Sequence, residues 1–421
     1  MNIFFQLLAL FINFVIFLST FMKLKNKLNI VYIILLLFQI IFVFPILLEL
    51  ILGVQDYSYK SPGFQKALTD ITTNIIYSIF TIIIVVILYL MGNKRETTRF
   101  SISDIRETLS NLKIRREFYL LSVVLMFIPL IFALFSPSPE KYFTEYAHFQ
   151  RFAFMATDSE LWYHQNFMRI GGFISLIFIL ITKLFSKETA FNNFLIILAT
   201  IITGILNGKR TLFALIVFAI LSVDILKAPR GRFPIKKVVS GSLFILIFFL
   251  AYAFIIDKHT ANVTTIDNLR LYFFRDVDVK FSIYALLNPK EYKMFDYWGQ
   301  SYLYNILFYI PRSFWPNKPY PYDIYVTASA LGYSPGTIIS WNFQTSLFGE
   351  AISNLGWLGI PFSLFLLNKF IKISEQTKNP IIIVLCIFII MFSYMNHFGA
   401  YRNYLIVWIL LVLTTKFKII P

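Results

Sequence analysis

The chain has a single cysteine among its 421 residues, Cys386, set in the apolar run PIIIVLCIFII. No internal disulfide can form, and no cysteine-built metal site exists. Histidine is almost as scarce. His148, His164, His259 and His397 form no HxxxH or HExxH pair, so neither a metal site nor any other cofactor is expected. Only 14% of the residues are charged, against about 25% in an ordinary soluble domain, which excludes a water-soluble fold. No internal repeat is visible, and that argues against a transporter built from inverted repeats. The first apolar run, Ile3 to Phe21, has no basic stretch before it and no small-residue cleavage site after it. It reads as a retained helix and not a removable leader.

Apolar bulk fills the place of these absences: 58% of the chain is hydrophobic, and 48 residues are Phe. Crossing a bilayer core takes about 20 apolar residues in a row. Eleven stretches approach that length, at 3–21, 28–52, 73–91, 118–135, 170–185, 191–206, 211–226, 238–256, 350–368, 380–396 and 400–415. The pattern predicts an all-α polytopic membrane protein of about 11 transmembrane helices, the sixth and seventh forming a tight hairpin around NGKR. Lys and Arg gather in alternate loops. With the N-terminus outside and the C-terminus inside, the inner loops carry 22 basic residues against seven acidic, and the outer loops 16 against 14. The net charge of +16 is then mostly the positive-inside signature, and no nucleic-acid partner is implied.

This topology divides the chain into residues 1–256, with eight helices and an outer loop at 136–169; residues 257–349, a large outer loop; and residues 350–421, with the last three helices. A loop as long as 257–349 usually carries function. Its wealth of Tyr, Phe and Trp argues against disorder and for a seat on the outer leaflet.

Positive charge recurs on the outer side, where topology does not ask for it: Arg169, Lys209, Arg210, Arg270, Arg275, Lys280, Arg312, Lys318 and Arg402. Each alone is satisfied by reaching lipid phosphates. As a set they fit a di-anion, since planar guanidinium groups hold phosphate oxygens two at a time. Lys209 and Arg210 precede a predicted helix whose N-terminal amides add to such a site. Trp298, Tyr309, Trp315 and Tyr320 stand among Gln300, Asn305, Asn317, Asn342, Gln344 and Asp323. Rings of this kind serve as interface anchors or, mixed with amides and carboxylates, as sugar-stacking surfaces. The stretch YIPRSFWPNKPYPYD, with prolines at 311, 316, 319 and 321, is expected to be stiff and extended, a clamp holding Arg312 and Lys318.

Asp276-Val277-Asp278 reads either as a DxD metal motif or, more simply, as part of a surface pair of Asp276 with Lys280 at i,i+4. Glu350 is either a favourable acid at a helix start or a functional ionisable group at the membrane edge. His397 is either structural or a base.

NGKRTLF between two helix ends, YIPRSFWPNKP in a long outer loop, and GYSPGT with SLFGEAISNLGWLG before a short NHFGAYRNY loop together resemble the Wzy-type O-antigen and capsule repeat-unit polymerases. The resemblance covers roughly residues 200–405, in the order of the motifs and their side of the membrane. It implies a metal-independent, C-type-like glycosyltransferase of the bacterial cytoplasmic (inner) membrane with its site facing outward. The substrates implied are oligosaccharides on undecaprenyl pyrophosphate, and the partners are membrane lipid and the pathway's flippase and chain-length regulator. The carry-over places Arg210, Arg312 and Arg402 at the pyrophosphate and Glu350 in the site. Lys209, Arg275 and Lys318 are expected in support, and Glu350 or His397 as the proton acceptor. A ligase moving a finished glycan and a flippase of lipid-linked glycans are the rivals. The flippase is disfavoured because Asp224 is the only acid clearly inside an apolar run.

Overall fold

A computed structural model describes residues 2–26, 29–54, 61–96, 115–144, 159–186, 189–207, 210–227, 234–257, 275–337, 342–343 and 345–416. Every regular element among them is helical. In chain order these are α1 (Asn2–Asn26), α2 (Ile30–Phe38), a π segment (Gln39–Val43), α3 (Phe44–Leu52), α4 (Pro62–Thr69), α5 (Ile71–Glu96), α6 (Arg116–Leu125), α7 (Ile128–Leu134), α8 (Pro139–Thr144), α9 (Ser159–Phe185), α10 (Ala190–Asn207), α11 (Arg210–Lys227) and α12 (Ile235–Asp257). After the large loop begins come α13 (Arg275–Leu287), α14 (Gln300–Ile306), α15 (Tyr322–Leu331), α16 (Leu347–Leu355), a 3-10 turn (Gly356–Leu358), α17 (Gly359–Thr377), α18 (Pro380–Met395) and α19 (Phe398–Lys416).

All eleven apolar stretches fall on helices. Among the described residues six helices are long and apolar enough to cross a membrane, or seven if the α6–α7 pair, bent by 48°, counts as one span. Their outer faces stay greasy: Phe4, Phe11 and Ile51 are each more than 60% exposed. Exposure of this kind over whole spans is what a lipid-facing surface requires. The protein is therefore a polytopic helical membrane protein. The chain forms two compact units, residues 1–100 with 269–421, and residues 101–268. This grouping differs from the three-part division by topology, since the large loop and the last helices share a unit with the first hundred residues.

In the first unit, Phe38, Phe42, Phe80, Phe348 and Tyr394 interlock at its centre, with ring centroids 4.9–6.1 Å apart and mostly edge-on. Pro45 offers no N–H to the preceding turn, and the chain widens into the π segment just before it. The Tyr77 hydroxyl donates to the Phe42 carbonyl there, at 2.6 Å. Gly356 ends α16 at φ 57° and ψ −141°, a conformation open to glycine, so the run Leu347–Thr377 is one apolar stretch broken at NLGWLG.

Helix α13 overturns the expectation for RDVDVK. From Arg275 to Ala285 it is buried, packed on α4, α5 and α16. The Asp276–Lys280 pair forms, at 3.6 Å, but in the interior and not on the surface. Lys280 also meets Glu49 of α3 at 2.5 Å. Asp278 turns away from Asp276 and accepts from Ser346 (2.6 Å) and Tyr322 (3.0 Å). The two carboxylates of the DxD thus serve separate networks, as positions two apart on a helix must.

The polar ends of this unit sort into two faces. At one, Lys23 reaches Asn93 (2.5 Å), Asn29 donates to the Gly92 carbonyl, and Arg95 pairs with Glu375 (2.5 Å). At the other, Ser61 meets the Ala330 carbonyl, Lys66 meets Glu291, and Arg402 meets Asn305. Residues assigned by sequence to one side meet only one another in these contacts.

In the second unit, α6 and α7 bend at Met126–Phe127, before Pro129. The Met126 carbonyl accepts from Ser175 Oγ at 2.6 Å, a hydroxyl replacing the helix bond lost at the bend. At one end of this unit Asn207 donates to the Met168 carbonyl; at the other Asp224 is buried between Lys183 and Lys237, at 3.0 Å from each.

Candidate active site

The stretch Tyr309–Asp323 is not extended. It is a succession of tight turns closed by the N–H groups of Ile310, Phe314, Trp315 and Lys318, and it passes into α15 at Tyr322. Proline drives this: Pro316 holds the second position of the Trp315–Lys318 turn, where its fixed φ is already correct. The two cations tie the loop to itself. Arg312 donates to the carbonyls of Lys318 (2.6 Å) and Pro319 (2.9 Å), and Lys318 donates back to those of Phe308 (2.6 Å) and Ile310 (2.7 Å). Tyr320 lies under the Arg312 guanidinium at 4.1 Å, and Tyr304 under Lys318 at 5.1 Å. The segment is held by turns and reciprocal staples, not by an extended backbone.

This loop delivers Lys318 to Arg402, which lies in the first turn of α19. Burial lowers the pKa of Lys318, and the neighbouring charges of Arg312 and Arg402 lower it further, so the three cations share one electrostatic field. The Arg402 guanidinium stacks on Phe308 at 3.3 Å and reaches Asn305 Oδ1 at 3.4 Å, while its Nε is buried without a hydrogen-bond partner.

His397 precedes α19 in the short turn after α18. Its Nε2 stands 3.7 Å from Asp323 Oδ1, and its Nδ1 3.4 Å from Thr345 Oγ1. Burial lowers its pKa, and Arg402 adds to that while Asp323 opposes it. The net shift favours the neutral ring, the form able to accept a proton. Glu350 is fully buried below this turn. Its Oε1 accepts from Ser301 Oγ (2.7 Å), and its Oε2 from the Phe398 N–H (2.5 Å), the first amide of α19. A carboxylate at a helix start is favourable, and here it comes from a different helix and anchors the turn that bears His397. Gly399 is needed for the fit: a Cβ there would lie 2.9 Å from both Asn305 Oδ1 and His397 Nε2.

The structure thus brings together Arg312, Lys318, Arg402, His397, Asp323 and Glu350. Arg275 stands apart from this set in role: it opens the buried α13, where its charge acts on Asp278. Trp298 and Tyr309 are on the surface, 72% and 67% exposed, and Trp315 is partly buried. Lys209, Arg270 and Gln344 lie outside the described residues, as do the side chains of Arg169 and Arg210; Arg210 opens α11. Ser301, Phe308 and Thr345, which complete the site, stand in no motif and only the fold reveals them. Among the described residues no group of His, Cys, Asp and Glu is arranged to hold a metal ion. No family model, curated protein or solved structure matches the chain.

Proposed function

We propose that the protein is a membrane glycosyltransferase that joins oligosaccharide repeat units carried on undecaprenyl pyrophosphate, at the outer face of a bacterial cytoplasmic membrane. One observation carries this reading: a partly buried histidine lies beside a carboxylate and within the field of Arg402, itself grouped with Lys318 and Arg312. A proton acceptor next to a cation cluster is what attack on a sugar pyrophosphate requires. His397 takes the proton of the acceptor sugar's hydroxyl, whose oxygen attacks the anomeric carbon. The carbon–oxygen bond to the pyrophosphate breaks, and Arg402 stabilises the charge gathering on the leaving group. Arg312 and Lys318, with donors committed to the loop, shape the site and add to its positive potential. Glu350 holds the histidine turn and does not take the proton.

The eleven-span topology gives the orientation. The face with Lys23 and Arg95 belongs to the basic loops and faces the cytosol, so the His397–Arg402 face points outward. Asp224 is paired with Lys183 and Lys237 at a helix end, and Glu49, inside another span, is paired with Lys280, so neither is the uncommitted acid that a flippase cavity calls for.

Deletion of the gene, with complementation by wild type or Arg402→Ala, tests this in cells. Surface glycan reduced to single repeat units in the deletion and in Arg402→Ala supports the reading. Absent glycan would point to a flippase, and long chains stranded on lipid to a ligase.

A further inference from the structure

Three elements of the first unit converge on the His397 imidazole: the turn that bears it, the first turn of α15 with Asp323, and the entry to α16 with Thr345. The two ring nitrogens have different neighbours. Nε2 faces Asp323 Oδ1 at 3.7 Å, and Nδ1 faces Thr345 Oγ1 at 3.4 Å. Asp323 is held for this contact. Asn342 donates to its Oδ2 at 2.9 Å, while Oδ1, the oxygen turned to the ring, is buried and accepts no hydrogen bond. An ionised carboxylate only accepts, and a threonine hydroxyl can donate. Only the Nε2–H form turns a proton toward the Oδ1 carboxylate oxygen and leaves Nδ1 free to accept from Thr345.

We infer that Asp323 is a positioning residue that holds His397 as the Nε2–H tautomer, so that Nδ1, on the Thr345 side, is the nitrogen that accepts the substrate proton. The chemical role rests on the proposed glycosyl transfer; the tautomer does not. In the resting site the Thr345 hydroxyl donates to Nδ1 over a long 3.4 Å, a weak bond that an incoming sugar hydroxyl replaces. That hydroxyl's proton moves to Nδ1 as its oxygen bonds the anomeric carbon, and the pyrophosphate departs with the electron pair of the broken bond. The imidazolium so formed faces the Asp323 carboxylate until its proton passes to the leaving pyrophosphate or to water. The other charge acting on the ring is Arg402, on α19; Glu350, on α16, is bonded to the Phe398 amide. The arrangement follows the general logic of a base oriented by a third group.

Because Asp323 supports the imidazolium against burial and Arg402, its removal lowers the pKa of His397. The acid limb of the rate profile then shifts to lower pH as the maximal rate falls.

The test uses the full chain in lipid nanodiscs with ¹⁵N-labelled histidine. Long-range ¹⁵N–¹H spectra report the tautomer of each of the four histidines, and His397 is assigned by difference from His397→Gln. The inference expects the Nε2–H form in the wild type and its loss in Asp323→Asn. It also expects kcat down about 10²- to 10⁴-fold in that variant, KM for the acceptor little changed, and partial recovery in Asp323→Glu. A wild-type Nδ1–H form overturns it, as does an Asp323→Asn protein with an unchanged tautomer and pH profile. If the tautomer is as stated but no glycosyl transfer occurs, the functional reading fails and the Asp323–His397 pair stands. If transfer occurs with the other tautomer, the inference fails alone.

Discussion

Replacing Lys280 with methionine probes the packing that supports the site. Lys280 is 1% exposed, 2.5 Å from Glu49 and 3.6 Å from Asp276, and both of those carboxylates are buried. Its ammonium also lies 5.3 Å over the Tyr77 ring. Methionine matches the side chain in length and removes only the charge. Two carboxylates would then share a dry pocket without their lysine, and removing one partner of a buried pair costs about 3–5 kcal/mol. At about 2–4 °C per kcal/mol for a unit of this size, the Tm should drop by roughly 6–20 °C. The single cysteine supplies the assay. Cys386 is fully buried in α18 of the same unit, so a thiol-reactive dye reports its exposure on heating. The double variant Lys280→Met/Glu49→Gln should recover part of the loss, because one stranded charge is gone. A Lys280→Met protein within about 2 °C of wild type, or a double variant no better than the single, would refute the reasoning.

Burial pushes the Asp278 carboxyl up to about 7, against the donors Ser346 and Tyr322 and the charge of Arg275. A carboxyl raised above its unfolded value contributes stability that is complete below the unfolded pKa and lost as pH rises through the folded one. The wild-type Tm should therefore decline between about pH 4 and pH 7, and Asp278→Asn should flatten the decline; equal slopes in the two proteins would contradict this. Gly399→Ala pushes a methyl onto Asn305 and His397 and should cost on the order of 10²-fold in activity with little change in Tm. Wild-type turnover in that variant would show that the turn tolerates displacement. Arg312→Ala frees the carbonyls of Lys318 and Pro319, so chymotrypsin should cut at Tyr309 or Phe314 faster than in wild type. Unchanged cleavage would mean that the turns hold without the staple.

The membrane class was legible because apolar run length reports it directly: each of the eleven stretches is helical. Which runs suffice for a span was less legible, since α18 has 16 residues and the α6–α7 stretch bends before Pro129. Charge misled in α13, where Asp276, Asp278 and Lys280 look like a solvated turn of helix and are interior, their partners 231 residues away at Glu49 and 68 away at Ser346. Proline spacing did not give the shape of Tyr309–Asp323, because a fixed φ suits a turn as well as an extended chain. Arg312, Lys318 and Arg402 were nameable from the loops and helix end that the expected topology puts on one side. That the first two donate to backbone carbonyls was not, since no side-chain pattern encodes a carbonyl acceptor. Glu350 and His397 were both visible as candidates, but only the Phe398 amide bond marks Glu350 as an anchor and leaves His397 as the proposed base.

The most direct measurement is glycosyl transfer by the purified chain in liposomes, supplied with an oligosaccharide on a polyprenyl pyrophosphate. The account predicts lengthened lipid-linked chains and release of polyprenyl pyrophosphate by the wild type, and neither by His397→Ala or Arg402→Ala, with both variants as stable as the parent. Lipid moved across the bilayer with no bond formed, or full transfer by either variant, would contradict it.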